Sequence, residues 1–221
     1  MKKVLGLLAL LSLLALPSAV APPAAQALTH DPILFVHGWN SNSSTWNTMI
    51  SRFSADGWAA NELYNWQYNY KQSNATTAAQ IQTKVNDILA TTGATKVDIV
   101  THSMGGLSSR YYSKNLGGSA KIDEWVSLGG PNHGTDTANF CFDTSCKEMR
   151  IGSTFLASLN ATDETPGTPN YRTWMSTCDS VINPDSSVAL SGATNTQTAC
   201  LSHGDLHEDA TVYAQVRDFV A

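Results

Sequence analysis

"KVDIVTHSMGGLSSRYYSKNLGG", residues 96–118, is the stretch that decides the fold. It opens with "KVDIV" at 96–100, which reads as a buried strand. It runs without a linker into "SMGGLSSRYYSKNLGG", which reads as a helix ending at Gly117. Ser103 lies at the junction, with Thr101 two residues before it and Gly105 two residues after. Sites in parallel sheets gather at the carboxyl ends of strands. A serine on a sharp strand-to-helix turn holds its hydroxyl out of the sheet, and the turn needs small neighbours because its backbone is closely packed. Thr101 stands where the general G-x-S-x-G pattern has glycine, but threonine is still small. A serine here also serves as an ordinary helix N-cap, so the stretch alone leaves two readings open.

The same alternation extends in both directions. "ILFV" at 33–36 predicts a strand buried on both faces. "STWNTMISRFSADG" follows, with Trp46, Met49, Ile50 and Phe53 at helical spacing and Gly57 as a stop. "ELYNWQY" at 62–68 is a second strand candidate. "TTAAQIQTKVNDILATTG" puts Ala78, Ile81, Val85, Ile88 and Leu89 on one helical face. "IDEWVSLGG" at 122–130 predicts another strand, and "YRTWMST" at 171–177 and "TQTAC" at 196–200 are weaker ones. "EDATVYAQVRDFV" closes the chain as a helix. Strands alternating with helices predict a single α/β domain over residues 28–221, a mostly parallel central sheet flanked by helices. From Asn132 to Asn170 the rhythm breaks into Thr, Ser, Asn, Asp, Gly and Pro, with one helical piece near "GSTFLASL". That segment reads as an excursion above the sheet, either a partial lid or a wall of a binding site.

Residues 1–27 read as a secretory signal peptide: Lys2 and Lys3, the apolar "VLGLLALLSLLAL", then small residues. "AQA" ending at Ala27 is a better cleavage site than "AVA" ending at Ala21, which Pro22 follows. The apolar run is too short to span a membrane comfortably, and no other stretch approaches that length. A secreted, extracellular protein is expected. Export places the four cysteines in an oxidising setting. Cys141 and Cys146 enclose "FDTS", where a local bridge would staple a loop and leave Cys178 and Cys200 as a long-range pair; the sequence alone does not choose among the connectivities. No C-x-x-C spacing supports a zinc site, and no metal or cofactor is expected. A net charge of −5 argues against nucleic-acid partners and polyanionic substrates.

Three further features favour a nucleophilic Ser103. A carbonyl under attack becomes an oxyanion and needs preorganised donors. The N–H of Met104, just after the serine, is one candidate; the N–H of Trp39 in "FVHGW" is the other, with Gly38 letting the backbone approach and His37 shaping the loop. Asp179 directly follows a strand candidate, and Asp185 is its rival beyond Pro184. An acid that orients a histidine belongs at the rigid end of a strand, which favours Asp179. Cys178 beside it would tie this loop to Cys200, near the histidine loop. "CLSHGDLHEDATVYAQV" offers His203 and His207; His207, just before the closing helix, is the preferred base. Serine, aspartate and histidine in that order match the triad of this architecture. Trp39, Met104, Phe140 and Phe142 are candidate walls of an apolar substrate site, with Leu107 read as core.

"PILFVHGW", "KVDIVTHSMGG", "LGGPNHGT", "CDSVINP" and "SHGDLHED" together resemble the secreted bacterial triacylglycerol lipases of the α/β-hydrolase superfamily. The small, nearly lidless lipases of Bacillus and their actinomycete relatives are the nearest type, with A-H-S-M-G where this chain has "THSMG". The resemblance spans about Asp31 to Val220. It implies Ser103 as nucleophile, Asp179 as acid, His207 as base, and the Trp39 and Met104 N–H groups as the oxyanion hole. It also implies hydrolysis of acylglycerol esters through an acyl-enzyme, with a lipid or ester substrate met at a lipid–water interface, and a monomer. His133 in "GGPNHGT" reads as structural. The chain departs from the small group in its 132–170 excursion and its cysteines. A short-chain esterase, cutinase-like polyesterase, phospholipase or acyltransferase would use the same triad. An inactive binding module on this fold is the alternative from another class, and the intact Ser, Asp and His set argues against it.

Overall fold

The computed structural model describes residues 28–221, so the expected signal peptide at 1–27 lies outside the described residues. Six parallel strands form one sheet in the order β2-β1-β3-β4-β5-β6. They are β1 (Ile33–Val36), β2 (Leu63–Asn65), β3 (Val97–His102), β4 (Ile122–Leu128), β5 (Asn170–Met175) and β6 (Thr194–Gln197). The longer helices are α1 (Asn47–Ala55), α2 (Asn74–Thr92), α3 (Gly105–Asn115) and α6 (Ala210–Val220), while α4 (Thr144–Glu148) and α5 (Thr154–Asn160) lie in the excursion. The expected α/β architecture is the observed one.

Period-two alternation divides the continuous apolar strands between two cores. On β1, Leu34 and Val36 join Ile81, Val85 and Leu107 on the α2–α3 side. Ile33 and Phe35 join Trp46, Phe53 and Val216 on the α1–α6 side. Both faces are therefore covered, as a parallel sheet requires. The ends of α2 show the expected chemistry: the Ser73 hydroxyl accepts the Ala75 N–H, and Gly93 stops the helix at φ 76°.

Several boundaries shift for visible reasons. The expected second strand keeps only Leu63–Asn65, because Glu62 sits in a 3-10 turn and turns its carboxylate inward. There it accepts backbone N–H groups from Thr29, His30 and Ala59, at 2.5, 3.1 and 2.8 Å. The last strand begins earlier than expected and ends at Gln197, before the chain swings Cys200 toward Cys178. The central helix starts at Gly105, not Ser103, because Ser103 has φ 55° and cannot belong to a right-handed helix. The disulfides join Cys141 to Cys146 and Cys178 to Cys200, the local-plus-long-range connectivity considered above. Among the described residues no helix is long and apolar enough to cross a membrane.

Candidate active site

β3 pairs with β1 and, after a register shift between Val97 and Ile99, with β4 up to its last residues, where Thr101 pairs with Val36 and His102 with Leu128. The chain then reverses at Ser103, whose N–H donates to the Leu128 carbonyl at 2.9 Å. A left-handed φ on a serine is costly and persists only when its surroundings hold it. The surroundings here are glycines. A Cβ on Gly105 would meet the Val36 carbonyl oxygen at 2.5 Å, and a Cβ on Gly38 would meet the Ser103 Cβ at 2.7 Å. The turn is thus wedged between the end of β1 and the loop after it. Thr101 does not disturb this, because it is still in the strand and its hydroxyl donates to the Val126 carbonyl at 2.7 Å. The close approach is made on the far side of the serine, where glycine is kept.

The loop after β1 is fixed from below. The His37 ring stacks on Tyr68 with centroids 4.0 Å apart, and the Tyr68 hydroxyl donates to the His37 carbonyl at 2.5 Å. His37 Nδ1 donates to the Gly38 carbonyl at 2.9 Å, and burial lowers the pKa of this ring. His37 therefore shapes the loop, as expected. Trp39 lies at the cavity rim, its indole N–H donating to Asp143 Oδ2 at 3.3 Å. Met104 precedes α3 as its N-cap, so its N–H is among the donors at a helix start that have no intrahelical acceptor. Its side chain is fully buried in the α2–α3 core and is no part of the cavity wall, contrary to the expectation from sequence.

Asp179 follows β5 and is buried. Its Oδ1 accepts the N–H groups of Val181 and Ile182 at 2.8 and 3.0 Å, which fixes the carboxylate plane. Its Oδ2 lies 2.7 Å from Nδ1 of His203. This corrects the expected partner: the histidine on Asp179 is His203, not His207. The reason is geometric. The Cys178–Cys200 bridge, with Cα atoms 5.1 Å apart, brings the start of the histidine loop to Asp179. His207 ends the next 3-10 turn, Asp205–His207, which carries it to Trp46 and His102, at centroid distances of 6.0 and 4.7 Å. Its Nδ1 is 3.3 Å from Glu208 Oε1, and burial lowers its pKa. Asp185 accepts the N–H of its neighbour Ser186 and touches neither histidine.

Ser103 and His203 line one cavity of ≈ 370 Å³ with Trp39, Phe140, Met149 and Ile182. The excursion supplies much of this wall, Thr135 to Cys141 and Met149. Phe140 is on the rim and 85% exposed. Phe142 is also exposed, stands away from the lining, and packs near the Arg150 guanidinium. Leu107 is core. His133 braces the excursion internally, with Nε2 2.8 Å from Glu164 Oε1, and its backbone N–H donates to the Ser187 carbonyl at 3.0 Å. Among the described residues no cluster of His, Cys, Asp or Glu is arranged to hold a metal ion. Reading the sequence did not single out Asn40, which lines the cavity in a left-handed conformation at φ 52°, or the contact of His102 with the His203 main chain. Asparagine's tolerance of that conformation, just after His-Gly-Trp, was the available signal for the first.

Comparison with known proteins gives the fold and the family. Chains similar to this one include the mature form of Bacillus licheniformis lipase BlEst2, at TM-score 0.77 and 19% identity over 93% of this chain and 96% of that one. Aspergillus fumigatus lipase B superposes at TM-score 0.74 and 16% identity, over 89% of this chain and 54% of that one. These likenesses place the fold among α/β-hydrolases. A triacylglycerol lipase of Pseudarthrobacter phenanthrenivorans is 33% identical over 81 residues, 36% of this chain. One of Burkholderia plantarii is equally similar over a segment of the same length. The matched segment spans only 25% and 22% of those two relatives. The family model described as lipase (class 2) matches residues 30–218, almost all of the described chain, and the chain belongs to that family.

Proposed function

We propose that this chain is a secreted serine hydrolase of carboxylic esters, acting on acylglycerols through Ser103, His203 and Asp179. The observation that carries the reading is the 2.7 Å contact between His203 Nδ1 and Asp179 Oδ2, with His203 and Ser103 on the wall of one largely apolar cavity. Ser103 Oγ attacks the ester carbonyl carbon while His203 Nε2 takes the hydroxyl proton. Asp179 accepts the Nδ1–H throughout, which fixes the tautomer and stabilises the imidazolium. The N–H groups of Trp39 and Met104 receive the oxyanion. Collapse expels the alcohol, which takes its proton from His203. Water then gives a proton to His203 as it attacks the acyl-enzyme, and His203 returns that proton to Ser103 Oγ as the carboxylic acid leaves. The family match and the apolar lining support an acyl chain as the group bound. The leader at 1–27 and the two disulfides support export, with Ala27 as the cleavage position.

An active-site phosphonate tests the nucleophile: an adduct on Ser103 is expected, and its absence sinks the reading. His203→Ala is expected to lower kcat by about 10⁴, and His207→Ala by far less. Asp179→Asn is expected to be severe where Asp185→Asn is mild. Turnover of p-nitrophenyl esters of increasing length, beside emulsified triglyceride, separates a lipase from a short-chain esterase or polyesterase.

A further inference from the structure

The mechanism above leaves unused the buried imidazole of His102 and the partly buried one of His207. His102, between Thr101 and Ser103, is the last residue of β3, and His207 packs edge-on against it at 4.7 Å. The His102 and His203 rings are 4.5 Å apart, and His102 Nε2 lies 2.9 Å from the backbone carbonyl oxygen of His203. A carbonyl only accepts, so this nitrogen carries the proton. Burial, with His203 and His207 close by, holds the His102 pKa well below its ordinary value and keeps the ring neutral. His203 is thereby held at two points. Its ring is held by Asp179, and its main chain by a donor one residue from Ser103.

We propose that His102 is a positioning residue for the reaction: its Nε2–H anchors the His203 carbonyl to the end of β3 and so sets the distance between the base and the serine. The neighbouring peptide carries the nucleophile, so one rigid strand end fixes both reacting partners. The neighbouring segment, 198–204, contains no helix or strand of its own. Ser176, just after the end of β5, ties it at Leu201, with the Leu201 N–H donating to Ser176 Oγ at 2.9 Å and that hydroxyl donating to the Leu201 carbonyl at 2.7 Å. The His102 bond is the one that ties His203 itself to the strand carrying the serine. Neutrality is part of the role. A second charge 4.5 Å away would oppose the imidazolium that forms on His203. This rests on His203 being the base, as proposed above.

The test compares His102→Gln, His102→Asn and His102→Met in the full mature chain, with His203→Ala alongside. Glutamine reaches far enough to place an amide N–H where Nε2–H stands; asparagine is too short, and methionine fills the volume without a donor. Methionine and asparagine are expected to lower kcat about 10- to 100-fold, the scale of a misplaced reacting group, with KM unchanged. Glutamine is expected to recover most of kcat. The low-field NMR proton on His203 Nδ1 should broaden in the Met and Asn variants and stay sharp in the Gln variant. Thermal melts identify any variant that fails to fold, and the Gln–Asn pair still decides if the Met variant is lost. Wild-type kcat in the Asn variant, or equal losses in Gln and Asn, overturns the anchor. Full activity in His203→Ala would instead overturn the assignment of the base, and the two failures are therefore distinct.

Discussion

Gly38→Ala adds one methyl group beside the nucleophile, and its effect follows from distances. The new Cβ would stand 2.7 Å from Ser103 Cβ and 3.2 Å from both Ser103 Oγ and the His102 carbonyl oxygen. Carbon atoms pack at about 3.5–4.0 Å, so close to 1 Å of overlap must be relieved. Ser103 has little room to yield, because its N–H is bonded to Leu128 and Gly105 behind it abuts the Val36 and His37 carbonyls. The loop carrying Trp39 moves instead, and one proposed oxyanion donor moves with it. A displacement near 1 Å costs about 10² in rate, or about 2.7 kcal/mol of transition-state stabilisation. Overpacking costs a further 1–3 kcal/mol or so of stability. Steady-state kinetics on a soluble p-nitrophenyl ester should show kcat down about 100-fold with KM little changed. Gly204→Ala is the control. It lies beside His203, has φ −71°, and its added Cβ meets nothing within 4 Å. That variant should keep wild-type kcat. Wild-type kcat in Gly38→Ala would refute the placement of the oxyanion loop.

Three other perturbations have defined outcomes. Burial alone would raise the Glu62 pKa, but the Thr29, Ala59 and His30 N–H donors and the His30 side chain hold it at about 2 against the ordinary 4.5. Its stabilisation is therefore complete above pH 4.5 and lost as pH falls toward 2. Discounted for solvent screening, this amounts to about 1–2 kcal/mol. Glu62→Gln should accordingly lower Tm by about 3–8 °C at neutral pH, and the gap to wild type should narrow on acidification; a pH-independent gap refutes it. Replacing Cys178 and Cys200 by serine opens a link across 22 residues, worth about 3 kcal/mol in the chain-entropy account, by denaturant titration. It should also depress kcat more than the same change at Cys141 and Cys146. Phe140→Ser, at an exposed rim position, should change stability by less than about 0.5 kcal/mol. Hydrolysis of emulsified triglyceride should fall well below that of a soluble ester; an equal effect on both substrates counts against a rim role in meeting lipid.

The sheet was legible because its strands announce themselves. "ILFV" is a continuous apolar run and "KVDIV" an apolar-rich one broken by Asp98, and both suit strands covered on both faces. The serine turn was legible from its glycine and its place after such a run. Asp179, the partner of His203, was legible from its position at a strand end. The histidine that meets Asp179 was not legible, because a one-dimensional reading saw only distance from the closing helix. What selects His203 is the Cys178–Cys200 crosslink, which places residues just after each cysteine side by side, while the 3-10 turn at Asp205–His207 aims the later ring at Trp46. Phe142 and Met104 failed as wall residues for a related reason. Side-chain direction after an irregular segment or at a helix cap is set by tertiary packing, which hydrophobicity does not encode. The Glu62 clamp left no mark in the sequence either, since its donors are backbone N–H groups more than thirty positions upstream as well as next to it.

The strand order has a consequence for the timing of synthesis. β3 is built with β1, β2 and β4 from residues up to Leu128, whereas Asp179 and His203 arrive on segments that follow β5 and β6, the two strands added last at one edge. A chain emerging from the ribosome or from an export channel can therefore fold its serine turn long before residue 203 is available. Until that final segment docks and the Cys178–Cys200 link closes, the hydroxyl has no base beside it. Under the mechanism proposed above, the nascent protein passes through its assembly with Ser103 in place and its base still to come.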